Sequence, residues 1–538
     1  MSECEFRTLG VMIDMSRNAV MGVAELKTYL SYLRCMGYNC AMLYTEDTFE
    51  VEGEPCFGYM RGGYTCDELR SLDAYASSLG MELIPCIQTL AHLQGFVHWK
   101  SVPTDRDDIL LVDDERTYAF LDKMLSTVRG CFSSNKIHIG MDEAWALGRG
   151  KFMDLHGYEA SASIMRRHLD RVSALVRRYG FTPMIWSDML FYDLTPERKY
   201  YLPKMEIPAS HRGILPKDVI PVYWDYYHTD EEFYDGMLSN HEQMTDNLWF
   251  AGSAWGTHGF LPLNRYAISA IRPAISACRR HGVRDVLMTV WGDDGAECSR
   301  YAVMPSLFYA AELMRGNSDE EKIKEGFYRL FGADMDAFLS LDDLNELLVG
   351  MNARTSAAPK AVLYNDLFSG LLDCRIDPSR RESIAEAAAR WHGYAQKYRK
   401  WRYLFASAAA LADALYVKYD LGLRTRQAYL AGDRDTLRSL ATNEYAILGR
   451  LVKRFARAFE KQWYKENRPS GFDVQEIRLG GLIYRIDSCR RRLLDYLGGR
   501  VSEIPELALE IVTDKIPDGA QKTYGMMVTP NRLTHKVH

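Results

Sequence analysis

Several features that would place the chain in a special class of proteins are absent from its 538 residues. No run of about 18 consecutive apolar residues occurs, so we expect no membrane-spanning helix. The first residues, MSECEFRTLG, do not combine a basic segment with an apolar one, so we expect no secretory signal and a cytoplasmic location. The net charge of −6 gives no reason to expect nucleic acid or an anionic membrane as a partner.

Cysteine is present, but its spacing carries no pattern. The 11 cysteines are an odd number, and no Cys-x-x-Cys pair occurs among them. Disulfide frameworks and zinc sites both depend on such spacing, so reduced thiols are the favoured interpretation. We therefore look for function elsewhere in the chain.

Between about residues 9 and 315, short apolar runs alternate with amphipathic helical patterns. Alternating strands and helices predict a parallel α/β sheet, and eight units over about 300 residues fit a closed (β/α)8 TIM barrel. A doubly wound sheet, the alternative, usually carries a Gly-rich phosphate turn after an early strand, and GVMIDMSRN has none. The eight predicted strands are 9–14, 39–47, 81–88, 136–140, 182–188, 219–225, 248–255 and 285–294.

The C-terminal part of the chain has a different pattern. Apolar residues recur every three or four positions in 382–420 and 434–467, and Arg and Lys occupy the remaining faces. We therefore predict two domains, a catalytic barrel at 1–330 and a mostly α-helical C-terminal domain at 331–538. Two roles remain for the helical domain: it forms the interface of a homodimer, or it supplies a wall of the pocket.

Tryptophan is concentrated where a barrel of this kind carries its active site, at the carboxyl ends of the strands. Flat apolar rings beside hydrogen-bonding acids suit a sugar, whose ring has an apolar face and a rim of hydroxyl groups. Ordinary packing is the alternative for each ring taken alone. Four of the ten tryptophans of the chain fall at these ends: Trp186, Trp224, Trp255 and Trp291.

The run KIHIGMDEAW, at 136–145, ends an apolar strand with two neighbouring acids, Asp142 and Glu143. Alternate residues of a strand share a face, so His138, Gly140 and Asp142 are predicted to point into the barrel, with Gly140 leaving room above His138. Two sequence neighbours cannot easily straddle a glycosidic bond, which needs carboxyl groups about 5–10 Å apart. We infer a division of labour, in which Glu143 protonates the leaving oxygen and Asp142 positions another group, such as a 2-acetamido group of the substrate.

The segment HIGMDEAW resembles the His-x-Gly-x-Asp-Glu signature of glycoside hydrolase family 20, the β-N-acetylhexosaminidases. The similarity extends over about residues 8–315. VMIDMSRN resembles the first strand of the family, PCIQTLAH its Pro-Glu-Ile-x-x-Pro-Gly-His segment, and TVWGDD its last strand. LYTED, VYWDYY, TVWGDDGAE and GFDVQEIRLGGLIYRID, the last at 471–487, resemble the branch of intracellular exo-β-hexosaminidases that contains hexosaminidase D and related bacterial enzymes.

The resemblance implies an exo-acting enzyme that releases terminal β-GlcNAc or β-GalNAc from the non-reducing end of an oligosaccharide or glycoconjugate, without a cofactor. The acetamide oxygen attacks the anomeric carbon and forms an oxazolinium ion, which Asp142 stabilises while Glu143 serves as acid and then as base. The charge of Asp142 is expected to keep Glu143 protonated near neutral pH. The other residues implied are His92 behind Glu143, Trp186, Trp224 and Trp291 around the sugar, and Asp293 at a C4 or C6 hydroxyl.

Two positions depart from the pattern of the family. Leu9 stands where the family has a sugar-binding Arg, so recognition of O3 and O4 is assigned to Arg17, Glu46 or Asp47. The seventh strand, AGSAWGTH, lacks the Tyr that binds the acetamide carbonyl. The residues that remain for this task are Tyr226 and Tyr227.

Other interpretations stay open. Arg17 and Glu46 also suit an ion pair that closes the barrel end, and His138 suits a buried structural role. The rival functions are a β-glycosidase with two enzyme carboxylates that acts on sugars without an acetamido group, and a sugar-binding or scaffold protein without catalysis. A metal site is disfavoured because no His-x-His or His-x-x-x-His pair occurs. Its conceivable ligands are His92, His138, Asp142 and Glu143.

Overall fold

The computed structural model describes residues 5–106, 108–192, 194–195, 197–350 and 357–510. Within them, eight parallel strands form a closed barrel in the order β1-β10-β9-β8-β7-β6-β3-β2, and β4 and β5 form a separate antiparallel pair. The predicted (β/α)8 barrel is therefore confirmed. The strands are β1 Thr8–Asp14, β2 Cys40–Tyr44, β3 Glu82–Cys86, β4 Thr104–Arg106, β5 Ile109–Leu110, β6 Lys136–His138, β7 Thr182–Trp186, β8 Ile220–Trp224, β9 Trp249–Ser253 and β10 Asp285–Val290.

Helices connect the strands and cover the outside of the barrel. The helix Cys66–Ser78 shows how the sequence sets a boundary, because Thr65 and Glu68 form a reciprocal capping box at its first turn. The helix between β8 and β9 was not predicted, since its sequence is mostly polar. The α-helices up to residue 339 are Val23–Met36, Cys66–Ser78, Gln94–Val97, Glu115–Arg129, Lys151–His156, Ser161–Arg178, Asp188–Tyr192, Ala209–Arg212, Glu231–Glu242, Asn264–Arg280, Met304–Met314, Glu320–Phe331 and Met335–Leu339.

Side chains that point into the barrel form a core of their own. Outward side chains such as Val11, Ile13 and Leu43 join the larger core beneath the helices instead. The filled interior leaves the loops at the carboxyl ends of the strands as the place for a ligand. The inner core consists of Met12, Cys40, Met42, Tyr44, Ile84, Cys86, Met184, Trp186, Ile220, Val222, Trp249, Ala251 and Leu287.

The described chain from residue 358 onward is mostly helical, as predicted, although the domain boundary at 330 stays a prediction. The pattern at 382–420 is two helices separated by a turn at Arg399–Trp401. None of the described helices is long and apolar enough to cross a membrane. The α-helices are Ala358–Tyr364, Arg381–Lys397, Arg402–Lys418, Leu421–Leu430, Arg434–Ser439, Tyr445–Glu466, Phe472–Leu497 and Pro505–Ala508.

Short 3-10 and π segments complete the described secondary structure. The π segment, Leu440–Glu444, runs directly into the helix Tyr445–Glu466. The 3-10 segments are Arg300–Val303, Ser340–Leu344, Asp373–Arg375, Pro378–Arg380 and Arg399–Trp401.

The helical region packs on the barrel through buried polar contacts. The Oε1 atom of Glu466 accepts a hydrogen bond from the hydroxyl of Ser299 at 2.5 Å, and its Oε2 atom accepts one from the backbone N–H of Arg300 at 3.2 Å. The guanidinium of Arg300 donates to Oδ1 of Asn467 and to the carbonyl of Ala19, both at 3.0 Å. Glu466 also reaches the loop that follows β1 directly, because its carbonyl accepts a hydrogen bond from the backbone N–H of Gly22 at 3.2 Å.

Candidate active site

A pocket lies at the carboxyl ends of the barrel strands, where barrels of this kind carry their active sites. Every predicted site residue except Glu46 and Asp47 lines it. The lining also contains Ser253, Thr257 and His258, which the sequence did not single out. The residues around the pocket are Arg17, His92, Asp142, Glu143, Trp186, Trp224, Tyr226, Tyr227, Ser253, Trp255, Thr257, His258, Trp291 and Asp293.

The loop that carries the paired acids begins where β6 ends, at His138. Its backbone is left-handed at Gly140, Met141 and Glu143, with φ of 71°, 70° and 51°. The predicted alternation of faces therefore stops before Asp142. A Cβ at Gly140 would lie 1.9 Å from Oε1 of Gln88, so the missing side chain makes room for Gln88. Room for His138 stays a prediction.

His138 lies beneath this loop as part of the barrel interior. Its ring centroid is 4.3 Å from that of Trp186, and its Nδ1 accepts a hydrogen bond from the backbone N–H of Gly140 at 3.1 Å. Burial lowers the pKa of His138 to about 3, which makes the ring neutral at physiological pH. These contacts support the structural interpretation of His138.

Asp142 is held as a carboxylate by two side chains from the loop that follows β3. The amide of Gln88 donates to its Oδ1 at 2.8 Å, and Nε2 of His92 lies 3.2 Å from its Oδ2. Burial alone would raise the pKa of Asp142, but the charge and hydrogen bond of His92, with the bond from Gln88, bring it below the ordinary value. Asp142 is therefore ionised at neutral pH.

Glu143 has the opposite electrostatic environment. Its side chain is 42% exposed, toward the pocket, and its Oε2 lies 3.6 Å from Nε2 of His92. Burial, with smaller contributions from the charges of Asp142 and Asp293, raises the pKa of Glu143, while His92 opposes the shift. Two neighbouring acids thus have pKa values moved in opposite directions, which is how a site separates a proton donor from a permanent anion.

Asp188 supports this loop from the next strand, and the sequence analysis did not select it. Its Oδ2 accepts the backbone N–H of Glu143 at 2.9 Å, and its Oδ1 accepts the indole N–H of Trp224 at 3.3 Å. Burial, followed by the charge of Asp142, raises the pKa of Asp188 to about 8. Asp188 is therefore protonated at neutral pH and adds no charge beside Glu143.

Aromatic rings form the walls of the pocket. The rings of Trp186 and Trp291 have centroids 6.1 Å apart, and those of Trp224 and Tyr226 are stacked at 5.5 Å. The indole N–H of Trp291 donates to the hydroxyl oxygen of Tyr226 at 3.1 Å. Thr289 is a second hydrogen-bond partner of the same hydroxyl group.

Two indole N–H groups of the lining are buried and lack a hydrogen-bond partner among the described residues, those of Trp186 and Trp255. The ring of Tyr227 meets Trp255 edge-on at 5.7 Å. Buried donors are usually satisfied, so these groups suit oxygen atoms of a bound ligand.

Charged residues occupy the side of the pocket next to β1. The Nε of Arg17 lies 3.1 Å from Oδ1 of Asp293, and its Nη1 forms a buried ion pair with Glu46. Glu46 is 1% exposed and lies behind Arg17, outside the lining. Asp47 is also outside it and pairs with Arg61 at 3.1 Å. The ion-pair interpretation of Arg17 and Glu46 agrees with this arrangement.

Among the described residues, no group of three or more His, Cys, Asp and Glu side chains is arranged to hold a metal ion. His92 is directed at the paired acids, and His138 is bonded within the barrel interior.

Comparison with known proteins gives two family matches. Residues 6–226 match the catalytic domain of glycosyl hydrolase family 20, and residues 336–526 match the Glycoside Hydrolase 20C C-terminal domain. The first match contains the loop with Asp142 and Glu143. The second covers most of the helical region, including the segment 471–487.

Individual relatives agree with these matches. The chain is 26% identical to human (Homo sapiens) hexosaminidase D over 235 residues, which are 40% of this chain and 44% of that protein. It is 32% identical over 96 residues to a β-hexosaminidase of Vibrio furnissii, which covers 15% of this chain and 16% of that one. A solved exo-β-N-acetylglucosaminidase of Vibrio harveyi superposes with a TM-score of 0.47 and 16% identity, covering 62% and 59% of the two chains.

The matches leave much of each relative uncovered, since the chain spans less than two thirds of the length of these three proteins. The activities given for these proteins are therefore properties of those proteins. The two family matches lie on the barrel and on the helical region, and they confirm the resemblance first seen in HIGMDEAW. Residues 6–226 and 336–526 thus match two domains of glycoside hydrolase family 20.

Proposed function

We propose that the chain is an exo-acting β-N-acetylhexosaminidase that releases terminal β-GlcNAc or β-GalNAc by substrate-assisted, retaining hydrolysis. One observation carries the proposal: Asp142 and Glu143 share His92 at an aromatic pocket, and their pKa values are moved in opposite directions. A cytoplasmic location and a homodimer stay predictions from the sequence.

Asp142 suits the acetamido group of the substrate. A carboxylate has about four lone-pair positions, so the bonds from Gln88 and His92 leave room for the acetamide N–H. Its negative charge then stabilises the positive charge that develops as the acetamide oxygen bonds to the anomeric carbon and the aglycone oxygen departs. The proposed role needs an ionised Asp142, and the lowered pKa supports it.

Glu143 suits the transfer of the proton. A raised pKa keeps its carboxyl protonated closer to neutral pH, so it can protonate the departing glycosidic oxygen. The resulting carboxylate then takes a proton from the water that opens the oxazolinium ion. Its partly exposed side chain suits both steps, because the leaving group and the water must enter from the open side of the pocket.

Recognition of the sugar is assigned to the walls of the pocket. We propose that Trp186, Trp224 and Trp291 pack around the acetyl group and the sugar ring, and that the hydroxyl of Tyr226 donates to the acetamide carbonyl. Tyr227 and Trp255 complete the same wall.

The polar rim is assigned to Arg17 and Asp293, which bond to each other and line the pocket. Asp293 accepts from a C4 or C6 hydroxyl, and Arg17 donates to O3 or O4. Glu46 acts through Arg17, since it lies behind the guanidinium rather than in the lining.

The test is hydrolysis of matched 4-nitrophenyl β-glycosides of GlcNAc, GalNAc, glucose and galactose by the wild type, Asp142→Asn and Glu143→Gln. We expect cleavage of the acetamido sugars alone, sharply reduced in both variants, and the ratio of the two rates gives the preference between GlcNAc and GalNAc. Equal cleavage of the plain glucoside, or activity indifferent to Asp142, would favour a two-carboxylate glycosidase. Binding of N-acetylglucosamine without cleavage of any glycoside would favour a sugar-binding protein.

A further inference from the structure

The loop that follows β10 delivers Asp293 to the pocket in an unusual conformation. Three consecutive residues have positive φ, Asp294 at 62°, Gly295 at 109° and Ala296 at 52°. The loop closes on itself through a hydrogen bond from the backbone N–H of Ala296 to the carbonyl of Gly292 at 2.7 Å. Left-handed conformations at residues other than glycine cost free energy, so the surroundings must hold this loop.

Barrel residues hold the start of the loop, since the backbone N–H of Gly292 donates to Oδ2 of Asp14 at 2.9 Å. The groups that hold the left-handed part, at Asp294–Ala296, come from the helical region. Lys360 donates to the carbonyl of Asp294 at 3.0 Å and to its Oδ2 at 2.8 Å, and its Nζ lies 2.7 Å from Oε2 of Glu297. Arg478 donates to the carbonyl of Asp294 at 3.2 Å and to Oε1 of Glu297 at 2.8 Å. Gly295 admits this approach, since a Cβ there would lie 3.1 Å from Nη1 of Arg478.

These four charged side chains are shielded from water. The side chains of Lys360 and Glu297 are 1% exposed, that of Arg478 is 0% exposed and that of Asp294 is 7% exposed. Two cations balance two carboxylates, but the desolvation of buried ions offsets much of the attraction between them. Such a cluster is therefore weak evidence for a gain in stability. Its buried charges are better explained by the fixed geometry that they give to the loop.

We propose that Lys360 and Arg478 are positioning residues, through which the C-terminal helical region fixes the Asp293 loop for recognition of a sugar hydroxyl. The proposal rests on the function proposed above. It assigns to the helical region a role in binding, although none of its residues lines the pocket among those described. The contact atoms are the backbone carbonyl of Asp294 and the carboxylates of Asp294 and Glu297, one and four residues after Asp293.

The first test is the kinetics of Lys360→Met with 4-nitrophenyl N-acetyl-β-D-glucosaminide. We expect KM to rise by about tenfold, the usual scale for one charged hydrogen bond, with a smaller change in kcat. Lys360→Arg keeps the charge and should recover part of the loss. If Lys360→Met fails to fold, the double variant Lys360→Met/Glu297→Gln takes its place. This variant removes one cation and one carboxylate, so the charges of the cluster stay balanced.

A double-mutant cycle separates positioning from general support. Because Lys360 acts through Asp293, adding Lys360→Met to Asp293→Asn should change KM by less than about twofold. An equal loss in both backgrounds would overturn the proposal, as would a folded Lys360→Met with unchanged KM. Arg426→Met is the matched control: Arg426 is buried in the same region, donates to the carbonyls of Phe368 and Leu507, and should leave KM unchanged.

A measurement without sugar distinguishes failure of this inference from failure of the proposed function. Amide hydrogen exchange of the segment 291–297, read by mass spectrometry, should be faster in Lys360→Met than in the wild type and in Arg426→Met. Unchanged exchange would overturn the positioning role whatever the enzyme cleaves. If exchange is faster but the protein cleaves no acetamido sugar, the coupling between the helical region and the Asp293 loop stands. The proposed hexosaminidase activity is then rejected.

Discussion

Two loops at the mouth of the barrel both contain residues in the left-handed region, but different kinds of group hold them. The loops 140–143 and 292–297 each contain three residues with positive φ. The first is held within the barrel by the amide of Gln88 and by Asp188, whose raised pKa leaves it uncharged at neutral pH. The second is held from the helical region by the cations Lys360 and Arg478.

The difference matches what each loop has to do in the proposed reaction. His92 already opposes the raised pKa of Glu143, and a further fixed cation there would lower this pKa more and favour loss of the proton that Glu143 is proposed to donate. Asp293 has no such restriction, since it needs only to accept hydrogen bonds as an anion, and Arg17 already lies beside it. The backbone that carries the proton donor is thus held by uncharged groups, although His92 lies beside the side chain of Glu143, and the backbone that carries the hydroxyl acceptor is held by ion pairs.

The largest effect is expected from Glu143→Gln. Loss of the proton donor should lower kcat for a poor leaving group by about 10²–10⁴-fold, the usual contribution of general acid catalysis. The comparison of an unactivated phenyl glycoside with the 2,4-dinitrophenyl glycoside checks it, because an acidic phenol needs less help to depart. The same loss with both leaving groups would contradict the role of acid.

The second loop should behave differently on the same substrates. Asp293→Asn is expected to raise KM by about tenfold and to change kcat less, since the side chain binds a hydroxyl and takes no part in bond breaking. Steady-state kinetics give both values. A fall in kcat as large as that of Glu143→Gln, with KM unchanged, would instead support the rival mechanism in which these two carboxylates work as a pair.

A smaller effect is expected from Glu46→Gln, which weakens the ion pair that orients Arg17. KM should rise by less than about tenfold, because Arg17 keeps its contact with Asp293. Asp47→Asn is the matched control, as Asp47 is also buried and ion-paired but contacts Arg61. Equal changes in the two variants would show that the effect comes from packing near β2 rather than from Arg17.

The smallest effect concerns the pH dependence of stability. The pKa of Asp188 is raised from 3.8 to about 8, so between these values the folded chain binds a proton that the unfolded chain does not. Its contribution to the free energy of unfolding therefore falls as pH rises through this window. Asp188→Asn should lose less thermal stability than the wild type between pH 5.5 and about 8.5.

The control for that comparison is Asp218→Asn. Asp218 pairs with Arg177 at the surface, which lowers its pKa, so its titration is complete below this pH range. Its variant should follow the wild type from pH 5.5 to about 8.5 in thermal unfolding monitored by circular dichroism. An Asp188→Asn variant that also follows the wild type would show that Asp188 is ionised in the folded chain.

Much of the barrel was predictable because the apolar runs repeat and all parallel strands end on one side. The positions of Trp186, Trp224 and Trp291 follow from that rule alone, as does the meeting of Asp142 with Asp293 in one pocket. The sequence did not predict the left-handed turn after His138, because Met141 and Glu143 are not residues that favour positive φ.

The residues that hold the two loops were not predicted from the sequence either, for a different reason. Gln88 and Asp188 stand at strand ends like many other polar residues, and only coordinates show which atoms they reach. Lys360 and Arg478 are 66 and 184 residues away from Asp294 and belong to a chain with 66 basic residues. No local pattern distinguishes a buried cation from a solvated one in a helical segment.

The most direct test of the central claim varies the acyl group of the substrate and leaves the enzyme unchanged. The 4-nitrophenyl β-glucosaminides with N-acetyl, N-fluoroacetyl and N-trifluoroacetyl groups differ in the nucleophilicity of one oxygen, because fluorine withdraws electrons from the carbonyl. If that oxygen attacks the anomeric carbon, kcat/KM should fall steeply with each added fluorine. Equal kcat/KM across the series would show that an enzyme carboxylate is the nucleophile and would contradict the roles proposed for Asp142 and Glu143.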